Sequence, residues 1–239
     1  MKYLDLTFPT PQQNLACDEA LLLRCEDDNE NEVLRFWEPR EHFAVVGYST
    51  RIHSEVHLSA CRAQRVPVLR RCSGGGTVLQ GPGCLNYSLT LKIHGRPSLH
   101  DITETNAFIV GRLKQALEPL LDSEIAIQGV SDLALGAQKF SGNAQYRKRR
   151  ALLFHGTFLL KFDIPLIDKL IPPPPKQPLY RQNRPHGEFL INLNLPATTI
   201  KSALKQSWGA GEELKDVSFD TIETLVRKRY SKDEWNLRL

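Results

Sequence analysis

Apolar residues recur at near-helical spacing in five stretches of the chain, which predicts amphipathic helices there. The first helix is expected over 14–25, with Asn14 as its N-cap, because Asn readily caps a helix start. The longest is expected over 101–121, where Asp101 and Thr103 can cap its first turn. Further helices are predicted over 54–65, 198–207 and 218–230.

Short runs rich in β-branched and aromatic residues predict strands between these helices. The runs 33–37 and 42–48 are separated by Glu38-Pro39-Arg40, and we expect them to pair as a hairpin. Further strands are predicted over 66–71, 77–80, 85–93, 124–128, 133–135, 139–145 and 152–162. Because strands outnumber helices and arrive in clusters, the pattern favours an α+β fold with a mixed or antiparallel sheet flanked by helices.

The segment 171–178, IPPPPKQP, interrupts this pattern. Proline lacks a backbone N–H and fixes φ, so the run is incompatible with a helix interior or an inner strand. We expect a stiff proline-rich loop there, inside a single domain that spans residues 1–239.

Composition narrows the class of protein without identifying it. Of 239 residues, 41% are hydrophobic and 24% are charged, which excludes a disordered, collagen-like or coiled-coil chain. The net charge of +4 is too small to indicate a nucleic-acid partner. The first residues lack the apolar stretch of a signal peptide, and no run of about eighteen apolar residues predicts a membrane span. We therefore expect a cytoplasmic protein with neither nucleic-acid nor membrane partners.

The five cysteines indicate a reducing environment rather than a disulfide framework. They stand at Cys17, Cys25, Cys61, Cys72 and Cys84, an odd number without a C-x-x-C pair. Their spacing suits neither paired disulfides nor a zinc site. A cysteine acts as a nucleophile only beside a base, and the sequence around Cys84 offers none, so a buried thiol is expected there.

A glycine-rich run is the first candidate for chemistry. The sequence RRCSGGGT, residues 70–77, follows a predicted strand, and its three glycines allow positive φ and close approach of the backbone to a ligand. Backbone N–H groups in such a turn can bind an anion, and Arg70 and Arg71 supply the opposite charge. We expect both arginines to face an anion, although a glycine-rich hairpin with two solvated arginines is the alternative.

Charged residues further along the chain are weaker candidates. Lys139 stands between two strand-like runs and, in a cleft, would neutralise developing negative charge, although a surface lysine is the simpler interpretation. Asp132 would hold a divalent cation together with phosphates. His155 opens an apolar strand, where a structural histidine is more common than a catalytic base. The loop residues Arg181, Arg184 and His186 are interpreted as solvated, with a mobile basic flap as the alternative.

Taken in order, three blocks form a more specific pattern. RRCSGGGTVLQGPGCLNYSL, SDLALGAQKFSGNAQ and FHGTFLL closely resemble the lipoate–protein ligase A family of the biotin/lipoyl-ligase superfamily. The resemblance extends from residue 14 to about residue 236. It implies a catalytic domain built on a mixed sheet flanked by helices.

The resemblance also implies an ATP-dependent reaction in two steps, supported by Mg2+. Lipoate or octanoate would be adenylated with release of pyrophosphate, and the acyl group would then pass to a lysine of a lipoyl carrier domain. Such carriers are the E2 subunits of 2-oxoacid dehydrogenases and the H-type proteins of glycine cleavage. We expect a monomeric catalytic domain without the C-terminal accessory domain of many family members. Two alternatives remain for full activity: a requirement for a separate small partner protein, or activity of this chain alone.

Residue roles follow from the resemblance position by position. Lys139 matches the lysine that contacts both the acyl carboxyl group and the phosphate, and we expect it to be catalytic. The residues expected to bind the nucleotide are Arg71, Gly76, Thr77, Val78, Leu79 and Lys139. Those expected to bind lipoate are Gly74, Gly75, Lys139 and His155. Asp132 matches an acidic motif residue and is the expected metal ligand, although Ser131 replaces the asparagine that usually precedes it.

Two alternatives remain open from the sequence. An octanoyltransferase would move octanoate from acyl carrier protein without ATP, and Gly81-Pro82-Gly83 is similar to a turn of those enzymes. They use a cysteine nucleophile in the second half of the domain, where this chain has no cysteine beyond position 84. The second alternative is a lipoate-binding protein without catalytic activity, against which the joint presence of Arg71, three glycines and Lys139 argues.

Overall fold

The computed structural model describes residues 1–27 and 32–239. Its strands are β1 Lys2–Asp5, β2 Val33–Trp37, β3 Phe43–Val46, β4 Val68–Arg70, β5 Val78–Gln80, β6 Cys84–Lys92, β7 Ile125–Gln128, β8 Asp132–Leu135, β9 Gln138–Arg147, β10 Ala151–Leu159 and β11 Glu212–Glu213. Its α-helices are α1 Pro11–Asp27, α2 Ile52–Glu55, α3 Leu58–Ala63, α4 Ile102–Leu117, α5 Ile164–Leu170, α6 His186–Phe189, α7 Ala197–Trp208, α8 Phe219–Leu225 and α9 Asp233–Asn236. No helix in these ranges has the length and apolar composition needed to cross a membrane.

Within the described ranges the strands form two sheets. The larger has eight strands in the order β11-β1-β2-β6-β10-β9-β8-β7, and the smaller has three in the order β4-β3-β5. In the larger sheet β1 runs parallel to β2 and β11, whereas the remaining neighbours are antiparallel. The expected α+β fold with a mixed sheet is therefore confirmed.

Helices cover both faces of the larger sheet. Leu34 and Phe36 of β2 pack in one core cluster with α4 and α7, whereas Val33 and Trp37 pack in another with α1 and α8. Side chains alternate between the two faces of a strand, so β2 contributes to both clusters. Because neither face is left to solvent, β2 is buried at every position and β6 at its first eight.

The predicted hairpin of 33–37 and 42–48 is wrong. β2 lies between β1 and β6 of the larger sheet, whereas β3 lies between β4 and β5 of the smaller one. Each strand finds an antiparallel partner elsewhere in the chain, β6 for β2 and β5 for β3. Pairing with distant strands outweighs the short connection through Pro39, because it buries both apolar faces of β2.

Of the two predicted helix caps, Asp101 of α4 is confirmed and Asn14 of α1 is wrong. α1 begins at Pro11, where a proline costs no hydrogen bond, and Asn14 lies inside the helix instead of capping it. The Asn14 amide donates to the carbonyls of Phe8 and Thr10 and accepts from the Phe8 N–H, so it fixes the chain that enters α1. Asp101 does cap α4, since its carboxylate accepts from the Glu104 N–H at 2.8 Å.

The remaining helical predictions are broadly confirmed with changed bounds. The stretch 54–65 contains two short helices, α2 and α3, and 218–230 contains α8 followed by one π-helical turn over 226–230. Residues 171–178 contain neither helix nor strand, as the proline run predicts. We call residues 171–185 the proline strap.

Candidate functional site

A cleft of about 840 Å3 lies between the glycine loop, residues 73–77, and the proline strap. Its other walls come from the turn before β8 and from β9 and β10. This volume lies in the range of about 300–1,000 Å3 that is usual for small-molecule sites. The cleft brings together residues from four separate stretches of the sequence: Arg71, Gly75 to Leu79, Asp132, Lys139 and His155. Gly74, which the structure also describes, is exposed and does not line the cleft.

Arg71 fixes the conformation of the glycine loop through hydrogen bonds to its backbone and to Ser73. Its Nη2 donates to the carbonyls of Gly74 at 2.7 Å and Gly76 at 2.8 Å, and its Nε donates to the Ser73 hydroxyl at 3.0 Å. Gly75 between them has φ +94, which a residue with a side chain rarely adopts. Burial lowers the pKa of the Arg71 guanidinium to about 10, so it remains charged at neutral pH.

The glycine loop already binds a negative group. Glu55 Oε2 accepts from the Thr77 backbone N–H at 3.1 Å and from the Thr77 hydroxyl at 2.7 Å. Val78 beside it is 37% exposed in the cleft wall, whereas Leu79 is buried at 4%. The Thr77 N–H is thus occupied by a carboxylate of the protein itself, which a phosphate entering the cleft would have to displace, and the predicted binding of an external anion by this loop stays a prediction.

Replacing Gly47 with alanine is expected to destabilise the protein by about 1–3 kcal/mol, because overpacking displaces the backbone. A Cβ at Gly47 would lie 2.0 Å from the Gly75 carbonyl oxygen, so the glycine loop would have to move. Urea unfolding measures the loss. Gly111→Ala is the matched control, since a Cβ there meets nothing within 4 Å and alanine favours the interior of α4 by up to about 1 kcal/mol. Equal stabilities for the two variants would contradict this account of Gly47.

Lys139 and Asp132 form an ion pair across β8 and β9. The Lys139 Nζ lies 2.8 Å from Asp132 Oδ1, and the Tyr180 hydroxyl of the proline strap donates to Asp132 Oδ2 at 2.8 Å. A Cβ at Gly142 would lie 2.7 Å from the Lys139 Nζ, so the glycine leaves room for the ammonium group to lie over the strand. Lys139 therefore faces the cleft, and the surface-lysine interpretation is wrong.

His155 has polar partners on both sides of its ring. Its Nε2 lies 2.6 Å from the Ser73 hydroxyl, and its Nδ1 lies 3.5 Å from Asp18 Oδ2. Asp18 is buried in α1 and paired with the fully buried Arg35 at 2.6 Å. The structural interpretation of His155 agrees with these contacts, and its predicted contact with lipoate stays a prediction.

Three basic residues differ from their sequence-based interpretation. Arg70 faces away from the cleft: it is fully buried, and its guanidinium donates to backbone carbonyls that include those of Gly47 and Trp235. It therefore holds the fold together and does not face an anion. Arg181 and His186 are buried rather than solvated, since the Arg181 guanidinium lies over the Phe189 ring and the His186 N–H donates to Asp168.

Residues 10–212 match the family described as the lipoyl protein ligase A/B catalytic domain. The chain belongs to this family. The match covers all three motif blocks, the α1 helix and the strands of the larger sheet from β2 to β10, and it ends at the first residue of β11.

The relatives of this chain include proteins named as lipoate ligases and proteins named as octanoyltransferases. A protein of Aeropyrum pernix provisionally named lipoate-protein ligase A is 33% identical over 172 residues. That match covers 71% of this chain and 61% of the relative, so the chain spans less than two thirds of that relative's length. The octanoyltransferase LipM of Brevibacillus brevis is 25% identical over an alignment of 274 positions, gaps included. This alignment covers 99% of this chain and 98% of LipM.

Solved structures of the same family share the fold over the full chain. A bi-partite lipoate protein ligase from Thermoplasma acidophilum, studied with its E2 lipoyl domain, superposes with a TM-score of 0.81 at 21% identity and covers 99% of this chain and 95% of its own. A lipoate-protein ligase A bound with ATP has a TM-score of 0.78 at 22% identity and covers 99% of both chains. At these identities the likeness establishes the fold.

The cysteines of this lipoyl protein ligase A/B domain lie away from the cleft. All five belong to the described residues, and all are buried, unpaired and absent from the cleft walls. Burial raises the pKa of Cys84 to about 12 and those of Cys17 and Cys25 to about 11, and it also raises that of Cys72. A thiol with a raised pKa is a poor nucleophile, so none is placed or activated for acyl transfer.

We expect no cysteine of the folded protein to react rapidly with Ellman's reagent at pH 8, whereas all five should react in denaturant. Burial both blocks access and keeps the thiols protonated. The absorbance of released thionitrobenzoate measures both rates. A single thiol that reacts within seconds in the folded state would contradict the burial described here.

Several residues that line the cleft or lie behind its walls were not identified from the sequence. Tyr180 and Glu55 reach the site only through tertiary packing, and nothing in their local sequence indicates this. Arg35 carried a usable signal, because it is a single charge in the apolar run VLRFW and a buried charge requires a partner, whereas Asp18 stands next to Glu19 and its sequence does not indicate the pairing. Ser73 was part of the glycine-rich block, but the sequence gives no indication that it contacts His155.

Proposed function

We propose that this chain is the catalytic domain of an ATP-dependent lipoate–protein ligase. It adenylates lipoate or octanoate and transfers the acyl group to a lysine of a lipoyl carrier domain. The observation that carries the proposal is that Lys139 and the glycine loop line one cleft, whose walls contain none of the five cysteines, all of them among the described residues. Membership of the ligase A/B family supports the same acyl chemistry.

In the first step, a carboxylate oxygen of lipoate attacks the α-phosphorus of ATP. The acyl–phosphate bond forms while the bond to pyrophosphate breaks, and pyrophosphate leaves with the electron pair. Two anions must approach each other, so positive groups are needed where charge accumulates. Lys139 is that group, because its ammonium lies in the cleft and its ion pair, among the described residues, is with Asp132. The glycine loop supplies backbone N–H groups to the phosphates.

In the second step, the neutral amine of the carrier lysine attacks the acyl carbonyl carbon. The amide bond forms, AMP leaves, and the amine proton passes to solvent. Lys139 again faces the developing charge, now on the departing phosphate. The apolar part of the cleft, which includes Tyr87, Phe140 and Leu159, suits the hydrocarbon chain, with about 0.8 kcal/mol for each buried methylene.

The cleft suits Mg2+ as a cofactor bound jointly with phosphates. Asp132 is a carboxylate at the cleft wall beside Lys139, and one carboxylate together with phosphate oxygens is a usual Mg2+ environment. Both Asp132 oxygens have partners in the protein, Lys139 and Tyr180, so metal binding would release Lys139 toward the substrate. When bound, the metal would neutralise phosphate charge.

Asp132→Asn is expected to raise the Mg2+ concentration needed for half-maximal ATP binding about tenfold or more, because the amide is a weaker ligand. Calorimetric titration of ATP at several Mg2+ concentrations measures the effect without turnover. Asp122→Asn, at an exposed aspartate after α4, is the control. An unchanged Mg2+ dependence in Asp132→Asn would remove this residue from the metal site.

Octanoyl transfer from acyl carrier protein is the second candidate function. The match to LipM over nearly the whole of both chains favours it. The positions of the cysteines argue against it, because a thioester intermediate needs an accessible thiolate. A non-catalytic lipoate-binding protein is the third candidate, and it has no need for the paired positive groups at Arg71 and Lys139.

The partner proposed for the second step is a lipoyl carrier domain, such as an E2 lipoyl domain or an H-type protein. The full-length likeness to the ligase of a bi-partite system supports a separate small accessory protein. We further propose that residues 1–239 act as one catalytic domain and that it works in the cytoplasm as a monomer.

One assay separates these candidates. Purified protein is mixed with lipoate or octanoate, ATP and Mg2+, pyrophosphate is measured, and transfer to a lipoyl domain is followed by mass spectrometry. We expect both products. Pyrophosphate without transfer would indicate a missing accessory protein. Transfer from octanoyl-acyl carrier protein without ATP would overturn the ligase proposal, and binding of lipoate with neither product would indicate a non-catalytic protein.

A further inference from the structure

A line of buried polar side chains connects helix α1 to the glycine loop. Asp18 of α1 faces His155 of β10, His155 contacts Ser73, and Ser73 contacts Arg71. The joined atoms are Asp18 Oδ2 and His155 Nδ1 at 3.5 Å, His155 Nε2 and Ser73 Oγ at 2.6 Å, and Ser73 Oγ and Arg71 Nε at 3.0 Å. Ser73 is 0% exposed, and Asp18 and Arg71 are also buried.

The positions of the hydrogens in this line are inferred from the number of donors and acceptors on Arg71, Ser73 and His155. The Arg71 Nε carries one hydrogen and can only donate, so Ser73 Oγ accepts from it. Ser73 Oγ has a second lone pair that can accept from a protonated His155 Nε2, but its own hydrogen would then lack an acceptor among the contacts of the described residues, which favours donation from Ser73 Oγ to an unprotonated Nε2. In that arrangement the ring proton lies on Nδ1, on the side of Asp18. Each link is satisfied by this one arrangement.

Asp18 is held as a carboxylate at the far end of the line. Burial alone would raise its pKa, but the nearby Arg35 guanidinium and His155 together lower it below the usual value. Ser88 donates to the other carboxylate oxygen, Oδ1, at 2.9 Å. The negative charge of Asp18 therefore fixes the side of His155 that carries the proton.

The position of Arg71 decides which groups of the glycine loop face the cleft. Its guanidinium donates hydrogen bonds to the carbonyls of Gly74 and Gly76, which therefore point toward Arg71. In a trans peptide the N–H points opposite to the carbonyl, so the N–H groups of Gly75 and Thr77 turn away from Arg71. The Thr77 N–H indeed binds the Glu55 carboxylate. A guanidinium held in one place thus presents the loop amides to an anion.

We propose that Asp18, His155 and Ser73 form a positioning relay that fixes the Arg71 guanidinium and thereby the phosphate-binding shape of the glycine loop. The proposal rests on the ligase function proposed above. Ser73 acts through Arg71 and is not a nucleophile: it has no exposed surface, and one of its lone pairs accepts from a cation.

The test compares Ser73→Ala with Ser88→Ala. Both serines are fully buried and both lie one hydrogen bond from a member of the relay, but Ser88 contacts Asp18 on the side away from Arg71. We expect Ser73→Ala to raise the KM for ATP about tenfold, the effect of losing one charge-assisted hydrogen bond, with the KM for lipoate within about twofold. Ser88→Ala should lower the melting temperature and leave both KM values unchanged.

Three results would overturn the relay. Equal KM values for ATP in Ser73→Ala and wild type would show that Arg71 needs no support from Ser73. A selective rise in the KM for lipoate would make Ser73 a substrate contact. Complete loss of turnover with unchanged ATP binding would make it a nucleophile.

A measurement independent of turnover separates this proposal from the ligase function. Nitrogen-15 NMR of the histidine rings should show His155 protonated on Nδ1 in wild type and should lose this preference in Asp18→Asn. Protonation on Nε2 in wild type would overturn the relay whatever the reaction. If the ring is protonated on Nδ1 but no pyrophosphate is released, the ligase function fails while the hydrogen-bonded line stands.

Discussion

Replacing Lys139 with alanine is expected to slow pyrophosphate release about a hundredfold or more, as removal of one charge-stabilising donor does in other active sites. The ammonium lies in the cleft that also contains the glycine loop and Asp132, where the proposed mechanism brings the carboxylate and the triphosphate together. Lys139 is only partly buried, so its loss should not unfold the protein. Single-turnover release of pyrophosphate from lipoate and ATP measures the effect.

Two further variants sharpen this prediction. Lys169→Ala changes an exposed lysine of α5 and serves as the control, with full activity expected. Lys139→Arg keeps the charge but replaces a compact ammonium with a broad planar group, so we expect only partial recovery. If Lys139→Ala releases pyrophosphate at the wild-type rate, this lysine has no part in the chemistry, and the proposed mechanism fails with it.

Arg35→Leu is expected to destabilise the protein by about 3–5 kcal/mol, because it leaves a buried carboxylate without its cation. Arg35 has no exposed surface, and its Nη1 pairs with Asp18 at 2.6 Å while donating to the Asn14 carbonyl at 2.8 Å. Urea unfolding at pH 7 measures the change. Lys2→Ala removes an exposed pair with Glu212 and should change stability by less than about 1 kcal/mol.

The double variant Asp18→Leu/Arg35→Leu tests the cause of that loss. Removing both charges should recover much of the stability, since no unpaired charge remains. The effect of Arg35→Leu should also shrink in acid. The pKa of Asp18 is lowered in the fold, so its stabilisation is present above its usual value of 3.8 and is lost as the pH falls below it. A loss of stability that is the same at pH 7 and pH 3 would assign the effect to packing.

The sequence predicted most strands because their apolar runs are short and bounded by turn residues. It could not predict that β2 pairs with β6, because the pairing depends on which distant strand completes the sheet. The alternation of side chains along a strand left a similar ambiguity at Arg70 and Arg71. Neighbouring residues at a strand end point to opposite sides, and the sequence does not say which side holds the cleft.

The candidate site was predictable to the extent that its residues form ordered blocks. Lys139 and the glycine loop were recognised because their motifs occur in a fixed order, although neither is distinctive alone. The sequence did not reveal the roles of Asp18, Ser73 and Tyr180. Each of these residues contacts its partner only because α1, β10 and the proline strap pack together in the fold. Contacts between elements far apart in the chain carry no local signal.

The contacts of Arg70 have a consequence for residues 235–238. Its guanidinium ties the Gly47 carbonyl to those of Trp235 and Arg238, and the Trp235 indole donates back to the Arg70 carbonyl at 2.9 Å. Residues near position 239 are thus anchored next to the turn that supports the glycine loop. Any change that displaces residues 235–238 therefore removes hydrogen bonds from the Arg70 guanidinium, which also holds the Gly47 carbonyl beside the glycine loop.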